Sequence, residues 1–327
     1  MGKQGSQKVW VAGSRGMVGA AITRRLETDG ANLLPDPARA TLDLRRQQDV
    51  EGWMANNKPD VIYLAAARVG GILDNATYPA EFIADNLQIE TNIITAAAKL
   101  GVSKLVFLGS SCIYPKMAPQ PLREEYLLSG PLEETNRAYA VAKLAGLELV
   151  RSFRLQHNCD FISVLPCNLY GPNDTYDAKH SHVIPALLLK FRAAIEEGAS
   201  EITLWGTGTP RREFLHVDDC ADAIVHLANT YSSDSPVNIG TGEDMTIAEL
   251  ADMLCAVTGF KGRIVYDTSK PDGTPRKVLD VTRLQASSWK PKIPLQQGLA
   301  QVWQAFCLQP WPLPSPEVSP RPYRRRA

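Results

Sequence analysis

Near the start of the chain an apolar strand, a glycine-rich turn and an amphipathic helix follow one another without a gap. Residues 8–12 read as a short buried strand. Gly13-Ser14-Arg15-Gly16-Met17-Val18-Gly19 follows at once, and residues 17–26 place Val18, Ile22 and Leu26 on one helical face. Gly13 permits the tight turn, Gly16 lets a ligand approach the backbone, and Gly19 allows close packing of helix on strand. The first turn of such a helix carries unpaired N–H groups and the positive end of its dipole, which suits a dinucleotide diphosphate. The spacing is GxxGxxG rather than GxGxxG, so the strand before and the helix after give the loop its meaning.

The alternation continues. Strands are expected at 32–34, 61–65, 104–108 and 161–165, and helices at 83–100 and 139–155. Strands alternating with helices imply an α/β fold, a Rossmann-type doubly wound parallel sheet, whose ligands sit at the carboxyl ends of the strands. Gly13 and residues 66–71, 110–114 and 166–171 fall at such ends and should converge on one crevice. Beyond residue 172 the pattern loosens, with helices expected at 183–197, 217–228 and 247–258 and strands at 202–205 and 264–267. Residues 8–172 are thus expected to form the dinucleotide-binding domain, with later segments able to return to it. Residues 173–307 should form a smaller C-terminal α/β lobe over the substrate end. Residues 1–7 are short and polar. Residues 308–327 read as a disordered tail, rich in proline and ending in Arg324-Arg325-Arg326. A basic docking arm is the alternative to a solvated tail.

Composition excludes several function classes. Of 327 residues, 44% are hydrophobic and 21% charged, so a sizeable core forms. Thirty-five basic residues balance 35 acidic ones, and nothing draws nucleic acid or a membrane by bulk charge. No segment has signal-peptide or membrane-spanning form, which points to the cytoplasm. Six cysteines without a CxxC pair or metal-type clustering read as free thiols, and no metal site is expected.

The chemistry lies in a few positions. Tyr139 and Lys143 are four apart on a helix and share a face. A phenol can donate a proton to a carbonyl oxygen, and a nearby ammonium is expected to draw its pKa down from ~10. The preceding strand ends in Ser110-Ser111, whose hydroxyls suit a substrate oxygen. Cys112 lies at the crevice mouth, either a small buried hydrophobe or, beside a lysine, a thiolate able to take a proton from carbon. His182, entering a helix, is either structural or an acid–base group. Arg15 and Arg39 suit the 2′-phosphate of NADP, whereas Asp36 suits the ribose hydroxyls of NAD; NADP is favoured. Asp43 and Leu44 are placed to meet adenine.

Together these residues resemble the extended short-chain dehydrogenase/reductase family from about Lys8 to Gly298. YxxxK and NLYGP mark the superfamily. SSCIYPK, SHVIPALL and KPDGTPRK are more particular, and WGTGTPRREFLHVDD carries the likeness into the second lobe. The resemblance implies an NADP(H)-dependent enzyme that epimerises C3 and C5 of a GDP-4-keto-6-deoxy-D-mannose substrate and reduces C4. It implies Ser110, Tyr139 and Lys143 as reductase triad, with Cys112 as base and His182 as acid for epimerisation. Beyond the glycine loop, Arg39, Asp43 and Leu44, it places the cofactor against Leu108, Gly109, Ser110, Ser111 and Lys143. Pro166, Cys167, Asn168, Leu169 and His182 complete that wall. Lys190, Trp205, Arg212 and Asp272, with Lys277 as a weaker addition, are implied to hold the GDP-sugar. A homodimer built on helices 83–100 and 139–155 is implied as well. A 4-epimerase that retains NAD and a non-catalytic dinucleotide binder are the rival readings; Cys112 and His182 argue against the first, and the intact triad against the second.

Overall fold

The computed structural model describes residues 7–177, 181–270 and 272–312, with the side chain of Ile72 excepted. The tail from residue 313, with its arginine run, and residues 1–6 lie outside the described residues.

Six parallel strands form the central sheet: β1 (Lys8–Ala12), β2 (Asn32–Leu33), β3 (Val61–Leu64), β4 (Lys104–Leu108), β5 (Phe161–Pro166) and, far later, Val237–Ile239. Helices α1 (Met17–Thr28), α2 (Gln47–Asn57), α3 (Ile72–Thr77), α4 (Pro79–Leu100) and α5 (Arg137–His157) connect the first five. From the β2 edge the order runs β2, β1, β3, β4, β5 and then Val237–Ile239. The chain leaves β1 toward one edge and returns to its other side, so the strand order reverses between β1 and β3. In open α/β sheets that reversal opens the ligand crevice. β4 and β5 are buried at every position, as strands covered on both faces must be.

Next come β6 (Asn168–Tyr170), α6 (Val183–Glu196), β7 (Glu201–Trp205), β8 (Arg211–Arg212), β9 (Phe214–His216) and α7 (Val217–Thr230). Val237–Ile239 is β10, followed by β11 (Met245–Thr246), α8 (Ile247–Thr258), β12 (Arg263–Asp267), β13 (Arg276–Lys277), α9 (Thr282–Ala286) and α10 (Leu295–Cys307). Two apolar cores result. The first joins the sheet to α1, α2, α4, α5 and α7, and takes in Leu279, Leu284 and Trp289. α7 packs on α1, tied by Arg24–Asp218 at 2.5 Å and Arg25–Asp222 at 2.7 Å. Segments beyond residue 172 thus contribute to the first core. The second core gathers α6, α8 and α10 with Ile202, Leu204 and Phe260.

The described part of the segment expected to be a disordered tail, residues 308–312, is packed on the second lobe. Trp311 packs against the second core, Arg192 lies 4.7 Å from its ring, and Arg192 Nη2 donates to the Gln309 carbonyl at 2.9 Å. Among the described residues no helix is long and apolar enough to cross a membrane.

Candidate active site

Gly13 ends β1 at φ 90°, a left-handed conformation that favours glycine. A Cβ there would stand 2.7 Å from the Ala66 backbone at the end of β3. On Gly19 a Cβ would stand 2.1 Å from the Gly13 carbonyl, so loop and helix touch only because both are glycine. Gly16 caps α1 through its backbone with no side-chain cap, which leaves the first N–H groups of the helix open. Met17 and Val18 line the cleft there. This cradle fits a dinucleotide diphosphate.

The cleft holds about 620 Å³. Its walls bring together the glycine loop, Arg15, Arg39, Asp43 and Leu44 at one end. At the other are Leu108, Gly109, Ser110, Ser111, Cys112, Tyr139, Lys143, Pro166, Cys167, Asn168, Leu169 and His182. Ser14 alone of the expected cofactor residues is not in the lining. Its N–H and hydroxyl both donate to Asp36 Oδ2, each at 3.0 Å.

Asp36 also holds the loop itself. Its carboxylate also accepts from Gly13 N and from Trp10 Nε1, both at 3.2 Å. Four donors nearly fill a carboxylate's capacity. Asp36 therefore pins the glycine loop to the buried Trp10 while lining the cleft. Arg15 donates to the Pro37 carbonyl at 2.5 Å, and with Arg39 supplies the positive charge at this end. Asp43 is clamped by Arg45 at 2.6 Å, whose hydrogen bonds hold its carboxyl at about 2. Arg45 in turn reaches Asp85 at 3.1 Å, and Asp85 pairs with Arg68 at 3.0 Å.

Ser110 caps the short turn Ser111–Ile113, its hydroxyl accepting from Cys112 N at 3.1 Å. That turn places Cys112 beside the serine. Lys143 is 2% exposed: its Nζ donates to the Leu108 carbonyl at 3.0 Å, lies 3.0 Å from Glu90 Oε1, and stands 4.8 Å from the Phe107 ring centre. Glu90 is 1% exposed, and burial raises its pKa against the pull of Lys143.

One expectation fails here. Lys143 does not draw the Tyr139 phenol down. Burial holds that pKa well above the ordinary value of 10.0, with added push from Cys112 and Glu90, and the Ser110 hydrogen bond only partly opposes it. Burial thus keeps Tyr139 protonated, as a proton donor should be. His182 begins α6 with no side-chain cap hydrogen bond, and burial lowers its pKa.

The five residues expected to hold the sugar nucleotide sit on the second lobe, outside the main cleft lining. Trp205 ends β7 with 70% of its surface exposed, and Lys190 and Lys270 stand 5.7 and 5.8 Å from its ring. Asp272 accepts from Thr207 N at 2.9 Å and from its hydroxyl at 2.7 Å, ordering the loop beyond the tryptophan. Arg212 donates to the Thr274 carbonyl at 2.6 Å. Lys277 points elsewhere: its Nζ is 3.8 Å from Cys112 Sγ.

Sequence reasoning missed two buried acids. Glu90 falls on the stripe that carries Phe82, Asn86, Ile93 and Ala97 into the core, and an acid on that stripe was the available signal. Glu213, 1% exposed, accepts from Thr241 N at 2.6 Å, Gly242 N at 2.7 Å and Leu279 N at 2.9 Å, joining two loops beneath the site. Nothing local in the sequence marks it.

Comparison with known proteins places this geometry. Residues 9–240 match the NAD dependent epimerase/dehydratase family. The probable GDP-L-fucose synthase 1 of Oryza sativa subsp. japonica is 54% identical over 91% of this chain and 92% of its own. The GDP-L-fucose synthase of Escherichia coli K12 is 52% identical, over 92% and 96%. A solved GDP-L-fucose synthetase from Naegleria fowleri bound to NADP superposes with a TM-score of 0.85 at 26% identity, covering 94% of this chain and 96% of that one. Both the glycine cradle and the sheet it springs from lie within the matched residues, and the chain belongs to the NAD dependent epimerase/dehydratase family.

Proposed function

We propose that this protein is a GDP-L-fucose synthase, which converts GDP-4-keto-6-deoxy-D-mannose to GDP-L-fucose by 3,5-epimerisation and NADPH-dependent reduction at C4. The observation that carries the reading is that Ser110, Tyr139 and Lys143 share one cleft with Cys112 and His182. Full-length likeness to several GDP-L-fucose synthases supports it.

A ketone at C4 acidifies the protons on C3 and C5. Cys112 takes each proton in turn, the C–H electron pair moving onto the C4 oxygen, where Ser110 and Tyr139 donate hydrogen bonds to the growing charge. His182 returns a proton to the other face, inverting each centre. Cys112 comes from the turn after β4 and His182 from the start of α6, so the two reach the cleft from different elements. Burial keeps the His182 pKa low, so its imidazolium gives up a proton readily. When bound, NADPH supplies the hydride for C4. Tyr139 then protonates the alkoxide. The glycine loop and the start of α1 hold the diphosphate, and Arg15 and Arg39 the 2′-phosphate. Trp205, Lys190, Arg212 and Asp272 receive the GDP portion, with cations for diphosphate and a flat ring for the base or sugar.

The setting is the cytoplasm, and the assembly a homodimer through α4 and α5. On those helices Leu100, Val141 and Leu155 leave 45%, 37% and 60% of their surfaces exposed, apolar area that a partner would cover.

The test supplies GDP-4-keto-6-deoxy-D-mannose with NADPH and, separately, NADH. GDP-L-fucose with one NADPH oxidised per product is expected. Folded protein that oxidises neither cofactor would refute the reading; a 4-epimerase would show turnover without net oxidation.

A further inference from the structure

A cation beside a cysteine favours its thiolate, and two lysines approach this cleft. Lys143 is engaged: it is buried, paired with Glu90 at 3.0 Å and bonded to the Leu108 carbonyl. Lys277, 165 residues after Cys112, places its ammonium 3.8 Å from the sulfur. Among the described residues this ammonium has no carboxylate in salt-bridge range, so its charge is not neutralised.

The position of Lys277 is built in. Its neighbour Val278 donates to Gln120 Oε1 at 3.0 Å and accepts from Leu122 N at 2.8 Å. Asp280 N donates to the Leu122 carbonyl at 2.8 Å, and Leu122 and Leu279 form a parallel bridge. Glu213 holds Leu279 N from below at 2.9 Å. The strand that carries Lys277 is thus stitched to the segment following the cysteine turn. β13 pairs with β8, setting Lys277 opposite Arg212, a second cation whose charge reaches Cys112. The Arg212 guanidinium, however, is occupied by the Arg211 and Thr274 carbonyls.

We propose that Lys277 is a catalytic residue of the epimerisation: its ammonium holds Cys112 as the thiolate that removes the sugar proton. The role rests on Cys112 being the base, and it replaces the sugar-diphosphate contact implied for Lys277 by resemblance. In the step, the C–H bond breaks, an S–H bond forms, and the electron pair passes to the C4 oxygen. Lys277 keeps its proton throughout, and its interaction with sulfur weakens as the sulfur is neutralised. A cation at this distance raises the thiolate fraction and so the rate of attack by the sulfur on any electrophile.

The first measurement needs no substrate. Full-length enzyme is treated with iodoacetamide at pH 7, and alkylation of Cys112 is followed by peptide mass spectrometry. Lys277→Met should slow it about tenfold or more, and Lys277→Arg should restore most of the rate. Lys277 is only half-buried, so both variants should keep the parent's thermal transition. With GDP-4-keto-6-deoxy-D-mannose, Lys277→Met should lose at least about tenfold in deuterium exchange from solvent into the sugar, with KM within about twofold. Unchanged alkylation with a raised KM would overturn the proposal and return Lys277 to the diphosphate. If the parent enzyme fails to turn over this sugar nucleotide, the function reading falls, while the alkylation rates still judge the lysine–cysteine pair.

Discussion

Gly146 lies in the middle of α5, three residues after Lys143 and on the same face. Considered locally, Gly146→Ala should help, because alanine exceeds glycine by about 1 kcal/mol in a helix interior. Packing reverses the sign. A Cβ at this position would stand 2.5 Å from Glu90 Oε2 and 2.5 Å from Phe107 Cζ. Phe107 is fully buried and cannot swing away. Overfilling such a site costs about 1–3 kcal/mol. The Glu90 carboxylate is displaced as well, and it is what balances the buried Lys143. Breaking a buried pair outright costs about 3–5 kcal/mol, so partial displacement adds a fraction of that. The expected net loss is about 1–4 kcal/mol, read from urea unfolding at constant m. Ketone reduction should fall alongside, because Lys143 moves with its partner. In a Glu90→Ala background the same change should cost at least about 1 kcal/mol less, since half of the collision is gone. Gly146→Ala protein as stable as the parent, with undiminished NADPH oxidation, would show that the Glu90–Lys143–Phe107 cluster is not what the glycine protects.

Replacing Arg39 by alanine should raise KM for NADPH at least about tenfold and leave NADH kinetics little changed, because only the phosphorylated cofactor loses a charged partner; equal effects on both cofactors would contradict the placement. His182→Gln should let Cys112 exchange sugar protons with deuterated solvent while inversion falls about 10²–10⁴-fold; GDP-L-fucose at the parent rate would remove His182 from the mechanism. Asp222 joins α7 to α1 and to Trp289. Burial raises its pKa, but bonds from Lys292, Arg25 and Trp289 outweigh that and hold it at about 2 against an ordinary 3.8. A depressed carboxyl contributes stability above its unfolded pKa and loses it as the pH falls through the folded one. Asp222→Asn should therefore remove about 2 kcal/mol at neutral pH and flatten the acid limb between 3.8 and 2, and an unchanged limb would refute the assignment.

The long periodic segments were legible, and β1, β4 and α8 have the bounds that their sequence suggests. α4 begins earlier than the pattern indicated, at Pro79, because proline fits the first turn of a helix. α2 escaped notice since only Val50 and Met54 along it are buried. β10 is three residues with asparagine at its centre, too short to read as a strand, and only the sheet identifies it. α10 is legible in the spacing of Leu295, Leu299, Val302 and Phe306, of which the last three are buried. At the site, residue types announced their chemistry while their partners did not. Tyr139 was read as a phenol with a lysine near it, but its state depends on Glu90, one helix earlier, and on burial that no window of sequence contains. Lys277 announced a positive charge, and only the stitching of β13 to the segment after Cys112 gives that charge its target.

The same pairing decides which positive charges a ligand can meet. The chain carries 35 basic and 35 acidic residues, so bulk charge favours no anion. Locally the balance is uneven. Lys143, Arg45 and Lys104 are matched to Glu90, Asp43 and Asp160 at 3.0, 2.6 and 3.0 Å. Among the described residues, Arg15 and Arg39 at one end of the cleft have no salt bridge, and neither do Lys190 and Lys270 on the second lobe. An unpaired cation next to low-dielectric walls keeps its field, whereas a paired one presents little. The two regions where these cations lie are the two where a phosphorylated cofactor and a sugar diphosphate would enter. Between them burial leaves Tyr139 protonated, ready to give its proton as charge develops on the C4 oxygen. Binding of two anions and reduction of a neutral ketone thus coexist in one cleft, with Lys143 held against Glu90 at the centre and the cations at its ends free of salt bridges.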